Sequence, residues 1–187
     1  MKLTTKQLTA SGLLAALSVV IMFLEFNLPF IPPFLQLDFS DVPALVGAVS
    51  ISPVVGIAVI IVKNLIHLLM TSTGGAGEFA NVIMGCCYII PIALTAKKGG
   101  IKAISGTVAG ILAMTAVAML FNYFILIPWY SKVMPIETII NMCSEVNSLI
   151  DSKLDIIIFG VIPFNLMKGI INTFISFAIL KYIKTKR

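Results

Sequence analysis

The sequence predicts an all-α, polytopic membrane protein: one domain of six transmembrane helices with both termini in the cytoplasm. Three observations carry this reading. The chain has 187 residues, 59% of them hydrophobic and only 11% charged, whereas soluble domains carry about 25% charged residues. A chain this apolar cannot hide its surface in one soluble core, so a bilayer is its solvent. Its long apolar runs reach the ~20 residues a helix needs to cross hydrocarbon. Finally, nine of the 13 Lys and Arg residues fall in three clusters: Lys2 and Lys6; Lys97, Lys98 and Lys102; Lys181, Lys184, Lys186 and Arg187. None of the eight acidic residues lies in these clusters. Basic clusters beside apolar spans mark the cytoplasmic side, which accounts for the net charge of +5 without a nucleic-acid partner.

The first span covers about residues 8–26. It lacks a signal-peptide cleavage pattern and is long enough to cross, so it reads as a retained helix. Ser11 with Ala15 and Gly12 with Ala16 set small residues four apart, which lets membrane helices approach closely. The stripe serves either packing within the chain or docking of a separate subunit. Residues 27–41 form a loop with Pro29, Pro32 and Pro33. It ends in alternating apolar and polar residues and reads as a lid over a site or an interfacial connector.

Residues 42–70 are the ambiguous stretch. A single crossing would put the N-terminal basic cluster and the Lys97–Lys102 cluster on opposite sides. Two short or tilted crossings, about 42–52 and 54–70, turn at Ser50–Pro53 and keep both clusters inside. The loop at residues 71–77 holds three glycines but lacks the Gly-Lys-Ser/Thr ending of a phosphate-binding loop. Span four covers about 78–96 and opens with Glu78 and Asn81. Glu78 either favours the helix N-terminus or points into a site.

Span five covers about 102–127. Asn122 lies 20 residues past Lys102, about 30 Å up the helix, at the outer level. Trp129 and Tyr130 then read as an interfacial anchor. The polar outer segment at residues 131–153 includes a short amphipathic surface helix beginning near Ile136. The last span covers about 154–180, and the basic tail ends inside.

Within that last span, Asn165, Lys168 and Asn172 share one helix face at i, i+3 and i+7. An ammonium in hydrocarbon costs roughly 2.5–3.5 kcal/mol on insertion scales. Lys168 therefore faces a partner or polar cavity, or snorkels outward to the headgroups. Inward snorkelling would have to bridge the roughly 20 Å to Lys181. Glu78, Asn81, Asn122, Asn165 and Lys168 can line the outer half of a bundle at one depth. Amides pair donors with acceptors and suit a planar, nearly neutral heterocycle. Phe39, Tyr123 and Trp129 are the candidate stacking surfaces.

Other chemistry is thinly supplied. His67 is the only histidine and reads as structural or interfacial, so no metal site and no Ser-His-Asp relay is expected. Cys86, Cys87 and Cys143 lack CxxC spacing and read as small apolar filler. No ATP-binding motif is present, so the chain cannot drive uphill transport by hydrolysis alone.

Five stretches in order carry a resemblance: residues 34–44, 62–69, 77–81, 121–123 and 163–169. The most specific are Lys63-Asn64 with His67 and Phe164-Asn165 with Lys168. The chain resembles the substrate-binding S component of energy-coupling factor vitamin transporters, of the riboflavin type. The resemblance implies a six-helix S-component fold capturing riboflavin from outside, with no bound cofactor and a transmembrane T subunit and two cytosolic ATPases as partners. Flavin mononucleotide is a second implied ligand, although no arginine cluster for a phosphate is present. Groups matching Glu78, Asn122, Asn165 and Lys168 would hold the ring's polar edge, and Leu37, Asp38 and Phe39 in the first loop would cover it. The T subunit would dock through Gly12 and Ala16 or Ser11 and Ala15. The competing readings are an S component for thiamine or a pyridoxine-like vitamin, a small integral-membrane enzyme using Lys168, Glu78 or His67, and a structural subunit of a larger complex.

Overall fold

The computed structural model describes residues 3–71 and 73–185. Lys2, Lys186 and Arg187 of the basic clusters, and Ser72 of the glycine-rich loop, lie outside the described residues.

Helix α1 spans Thr5–Met22. The Thr4 hydroxyl accepts from the Gln7 N–H at 3.3 Å, and Gln7 Oε1 accepts from the Thr4 N–H at 3.0 Å. This reciprocal cap satisfies donors the first turn leaves unpaired. A small antiparallel hairpin follows, β1 (Phe26–Asn27) against β2 (Gln36–Leu37), with Phe26 opposite Leu37. Helix α2 (Asp41–Ser50) meets α3 (Pro53–His67) across only Ile51 and Ser52. Ser52 Oγ caps α3 by accepting from the Val55 N–H, and Pro53 takes a first-turn position where its missing N–H costs nothing. A 3₁₀ turn, Leu68–Met70, ends α3. Helix α4 is Ala76–Ala96. Helix α5 runs Gly100–Tyr130 through a π turn at Asn122–Leu126. Helix α6 is Ile136–Val146, and α7 runs Lys153–Thr185 through a π turn at Ile156–Val161.

Among the described residues, five helices are long and apolar enough to cross a membrane: α1, α3 with its 3₁₀ turn, α4, α5 and α7. Helix α2, where a second crossing was expected, has ten residues. That is about 15 Å against a hydrocarbon core of about 30 Å, so α2 does not cross at full length. The surface segment forms α6 and buries Ile139 and Cys143. Burial pushes the Cys143 thiol up to about 11, which suits apolar filler.

Two apolar clusters hold the bundle together. One gathers Leu45, Ile60, Tyr88, Ile92 and Met114 from α2–α5. The other gathers Leu35, Leu37, Ile127, Ile139, Ile156 and Phe164 around the first loop, α6 and α7. Helices α4 and α5 pack through Gly106 and Gly110: a Cβ on Gly110 would sit 2.4 Å from the Tyr88 carbonyl. This is the small-residue spacing of close membrane packing.

The stripe on α1 divides. Ser11 and Ala15 are half-buried, and Ala15 packs on the bundle's own core. Gly12 and Ala16 are exposed, and a Cβ on Gly12 would meet nothing within 4 Å. Exposed Leu13, Leu17 and Val20 continue this apolar outer surface.

Candidate functional site

A cavity of about 130 Å³ lies between the two clusters, with walls from α1, the first loop, α3, α4, α5 and α7. Its apolar walls include Met22, Leu35, Met84, Met114 and Phe164. Its polar lining is concentrated in two places.

At the inner end, Lys168 Nζ donates to Asp38 Oδ2 at 2.7 Å. Lys168 is 7% exposed and Asp38 3%. Asp38 Oδ1 accepts from the Ser40 N–H at 2.8 Å and from the Ser40 hydroxyl. Burial alone would raise the Asp38 carboxyl, but the charges of Lys168 and Lys63 and the hydrogen bonds from Lys168 and Ser40 outweigh it and hold it well below the usual carboxylate range. Behind this pair, Lys63 is 0% exposed and donates to Ser40 Oγ at 2.6 Å and Asp41 Oδ1 at 2.5 Å. The Ser40 carbonyl accepts from Ser18 Oγ of α1. The lysines are therefore neutralised one-to-one by carboxylates, as buried charges require.

Two amides complete this end. Asn122 Nδ2 donates to the Ala118 carbonyl at 2.9 Å, and Asn165 Nδ2 to the Val161 carbonyl at 2.8 Å. The Asn122 Oδ1 meets no donor among the described residues. Asn122 opens the π turn of α5, and Asn165 follows that of α7. Such turns recur at functional sites because the register shift breaks the regular helix ladder.

At the outer end, Glu78 is held by His67 Nδ1 at 2.9 Å and by the hydroxyls of Thr71 at 2.9 Å and Thr73 at 3.0 Å. Glu25 lies 3.8 Å from His67 Nε2. Burial raises the Glu25 carboxyl, partly offset by His67. A second cavity of about 490 Å³ adjoins the first. Phe34, Gln36, Thr73 and Tyr130 line both, and the rings of Phe34 and Tyr130 pack with centroids 5.8 Å apart.

Of the residues singled out by sequence, Asp38, Glu78, Asn81, Asn122, Asn165 and Lys168 line the inner cavity. Leu37 and Phe39 do not. Strand side chains alternate between faces, so within β2 Gln36 reaches the cavity while Leu37 joins the second apolar cluster; beyond the strand, Asp38 lines the cavity and Phe39 packs on Phe26, centroids 6.2 Å apart. The expected stacking residues are also elsewhere. Tyr123 lies under the Lys153 ammonium, 4.0 Å from its ring centroid, and Trp129 lines only the second cavity. Phe34 and Tyr130 are the aromatic pair at the neck. Asn172 is buried on the same face of α7, below the cavity lining.

The family model for the substrate-specific component of ECF transporters matches residues 6–180. The chain belongs to that family. It is 37% identical over 168 residues to the riboflavin transporter RibU of Staphylococcus aureus, covering 89% of this chain and 84% of the relative. It is 33% identical over 187 residues to the riboflavin transporter FmnP of Bacillus subtilis, covering 97% and 92%. Among solved structures it is similar to one described as the S component of a bacterial ECF transporter, with a TM-score of 0.78, 31% identity and 96% of each chain covered. The matched family and relatives are transporter components, which sets the enzyme reading aside.

Glu25, Gln36, Asp41 and Thr73 also line the cavity of this S component and were not singled out from the sequence; His67, expected to be structural or interfacial, lines it too. One signal was present for Asp41. Lys63 sits in an otherwise apolar stretch, and an intramembrane cation needs a counter-charge; Asp38 and Asp41 are the nearest preceding acids in the sequence.

Proposed function

We propose that this chain binds riboflavin from the outer side of a prokaryotic plasma membrane, as the substrate-specific subunit of an ATP-driven importer. The observation that carries the reading is the buried polar edge formed by Asn122, Asn165 and Lys168. An isoalloxazine ring presents carbonyl oxygens and ring nitrogens along one edge. A lysine donor and two amides match that mixture of acceptors and donors. Met22, Met84, Met114 and Phe164 offer polarizable and aromatic walls to the ring faces. Sites for ligands of this size occupy about 300–1,000 Å³. The inner cavity alone, about 130 Å³, falls below that range, and with the adjoining cavity of about 490 Å³ the space falls within it. The ring lies at the inner end and the ribityl chain passes the Phe34–Tyr130 neck. The rim presents Glu25 and Glu78 rather than arginines, so a phosphate on flavin mononucleotide weakens binding. The ligand named for both relatives supports the same choice.

On this reading successive helices cross in alternating directions, with Lys6, the Lys97–Lys102 turn and Lys184 at one end, the cytoplasmic end under the positive-inside rule. On this reading α2 is the short sixth crossing, accommodated by local thinning of the bilayer, and both termini are inside. The partners are a transmembrane T subunit, docked on the Gly12 and Ala16 face of α1, and two cytosolic ATPases.

Titrating riboflavin fluorescence with the purified protein in nanodiscs tests the reading. Saturable quenching at or below micromolar concentration is expected. Absence of quenching, or displacement of flavin by thiamine or pyridoxine at equal concentration, overturns it.

A further inference from the structure

Lys63 does not line the cavity, yet it is the most deeply buried cation described and every hydrogen bond it makes leads toward the cavity. An ammonium can only donate. Ser40 Oγ accepts from Lys63 Nζ at 2.6 Å, so its own proton must point elsewhere, and the partner in reach is Asp38 Oδ1. The Ser40 N–H binds the same oxygen at 2.8 Å. Asp38 Oδ1 is thereby held by Ser40, and Oδ2 is left to receive Lys168 at 2.7 Å. The second bond of Lys63, to Asp41 Oδ1, anchors the donor to the first turn of α2.

We propose that Lys63 is a positioning residue for the ligand: by setting the direction of the Ser40 hydroxyl it fixes Asp38, and through Asp38 it places the Lys168 ammonium on the ligand's polar edge. The affinity arm of this inference rests on the riboflavin reading; the placement of Lys168 does not. Ion pairing alone would need only Asp41, and Ser40 would be incidental. A relay needs Ser40, and removing its hydroxyl leaves the Lys63–Asp41 pair intact.

The test uses Ser40→Ala, which removes the link with almost no change in volume, and the charge-neutral double variant Lys63→Met with Asp41→Asn, which leaves no buried charge unpaired. Both are prepared in nanodiscs beside the parent protein. The first readout needs no flavin: acetylation of Lys168 by an N-hydroxysuccinimide ester, followed by peptide mass spectrometry. Both variants are expected to acetylate Lys168 several-fold faster, because its ammonium is no longer held. The second readout is riboflavin affinity in a double-mutant cycle. Ser40→Ala is expected to weaken binding about tenfold, the scale of one hydrogen bond to a charged group, but less than about twofold when Lys168 is already Gln, because the two act in series. Unchanged Lys168 acetylation in both variants overturns the proposal, as does an affinity loss of equal size in both Lys168 backgrounds. Faster acetylation in both variants, with a parent protein that binds no riboflavin, upholds the positioning and overturns the riboflavin reading alone.

Discussion

The inner and outer ends of the cavity both bury carboxylates, but they do so differently. At the inner end, Asp38 and Lys168 are almost wholly buried and face each other at 2.7 Å. At the outer end, Glu78 shares His67 with Glu25, and the Glu25 side chain is 28% exposed. Removing one partner of a fully buried pair strands a charge, which costs roughly 3–5 kcal/mol. Partly exposed pairs are screened by water and are worth little. The same residue types therefore do different work: the inner pair fixes geometry and charge state, whereas the outer group can respond to pH and to occupants of the neck.

The largest effect is expected for Lys168→Met. It leaves Asp38 buried without its main counter-charge, so thermal stability falls and riboflavin affinity drops about 100-fold or more. Adding Asp38→Asn should restore the melting temperature but not the affinity, measured by unfolding scans and fluorescence titration. Recovery of both would make the inner pair structural only. Next, Asn165→Ala and Asn122→Ala should each weaken riboflavin by about tenfold, one hydrogen-bond equivalent, with only small shifts in melting temperature.

The pH dependence separates the ends further. Asp38 is held below its ordinary value of about 3.9, so its contribution to stability is complete above that pH and is lost as pH falls through the depressed folded value. Glu25 is raised, so the sign reverses: the folded chain is favoured below about pH 4.3 and loses that advantage as pH rises through the raised value. Glu25→Gln should therefore flatten the decline of melting temperature above about pH 4, while leaving the acid limb set by Asp38 in place. A Glu25→Gln protein with the parent's profile on both limbs would remove the distinction between the two ends. The smallest effect on binding belongs to Gly12→Leu. Its side chain enters open space, so riboflavin affinity should stay at the parent value, while co-purification with the T subunit should be lost if that face docks it.

Much of the cavity was legible because polar residues in apolar sequence have few physical excuses. Lys168, Asn165 and Asn122 stood out for that reason, and all three line the cavity. The first loop was harder. Its composition allowed a lid or a connector but did not give its register, and the structure puts Gln36 and Asp38 in the cavity lining and Leu37 and Phe39 outside it. Tyr123 and Trp129, expected as stacking groups, lie outside the inner cavity: Tyr123 packs under Lys153 and Trp129 lines the second cavity. The small-residue stripe on α1 looked single in sequence, yet Ser11 and Ala15 face the bundle while Gly12 and Ala16 face out.

What the sequence alone determined was the solvent and the inventory: an apolar, helical, membrane-bound chain with basic clusters beside its spans and a cation too costly to leave in lipid. Hydropathy and charge are sums over local residues, so they survive without coordinates. Only the tertiary structure decided the pairings, Lys168 with Asp38 across 130 positions and Lys63 with Asp41 beside Ser40. A hydrogen bond depends on ångström distances between segments remote in sequence, and no local pattern encodes which of two nearby carboxylates a buried lysine will meet.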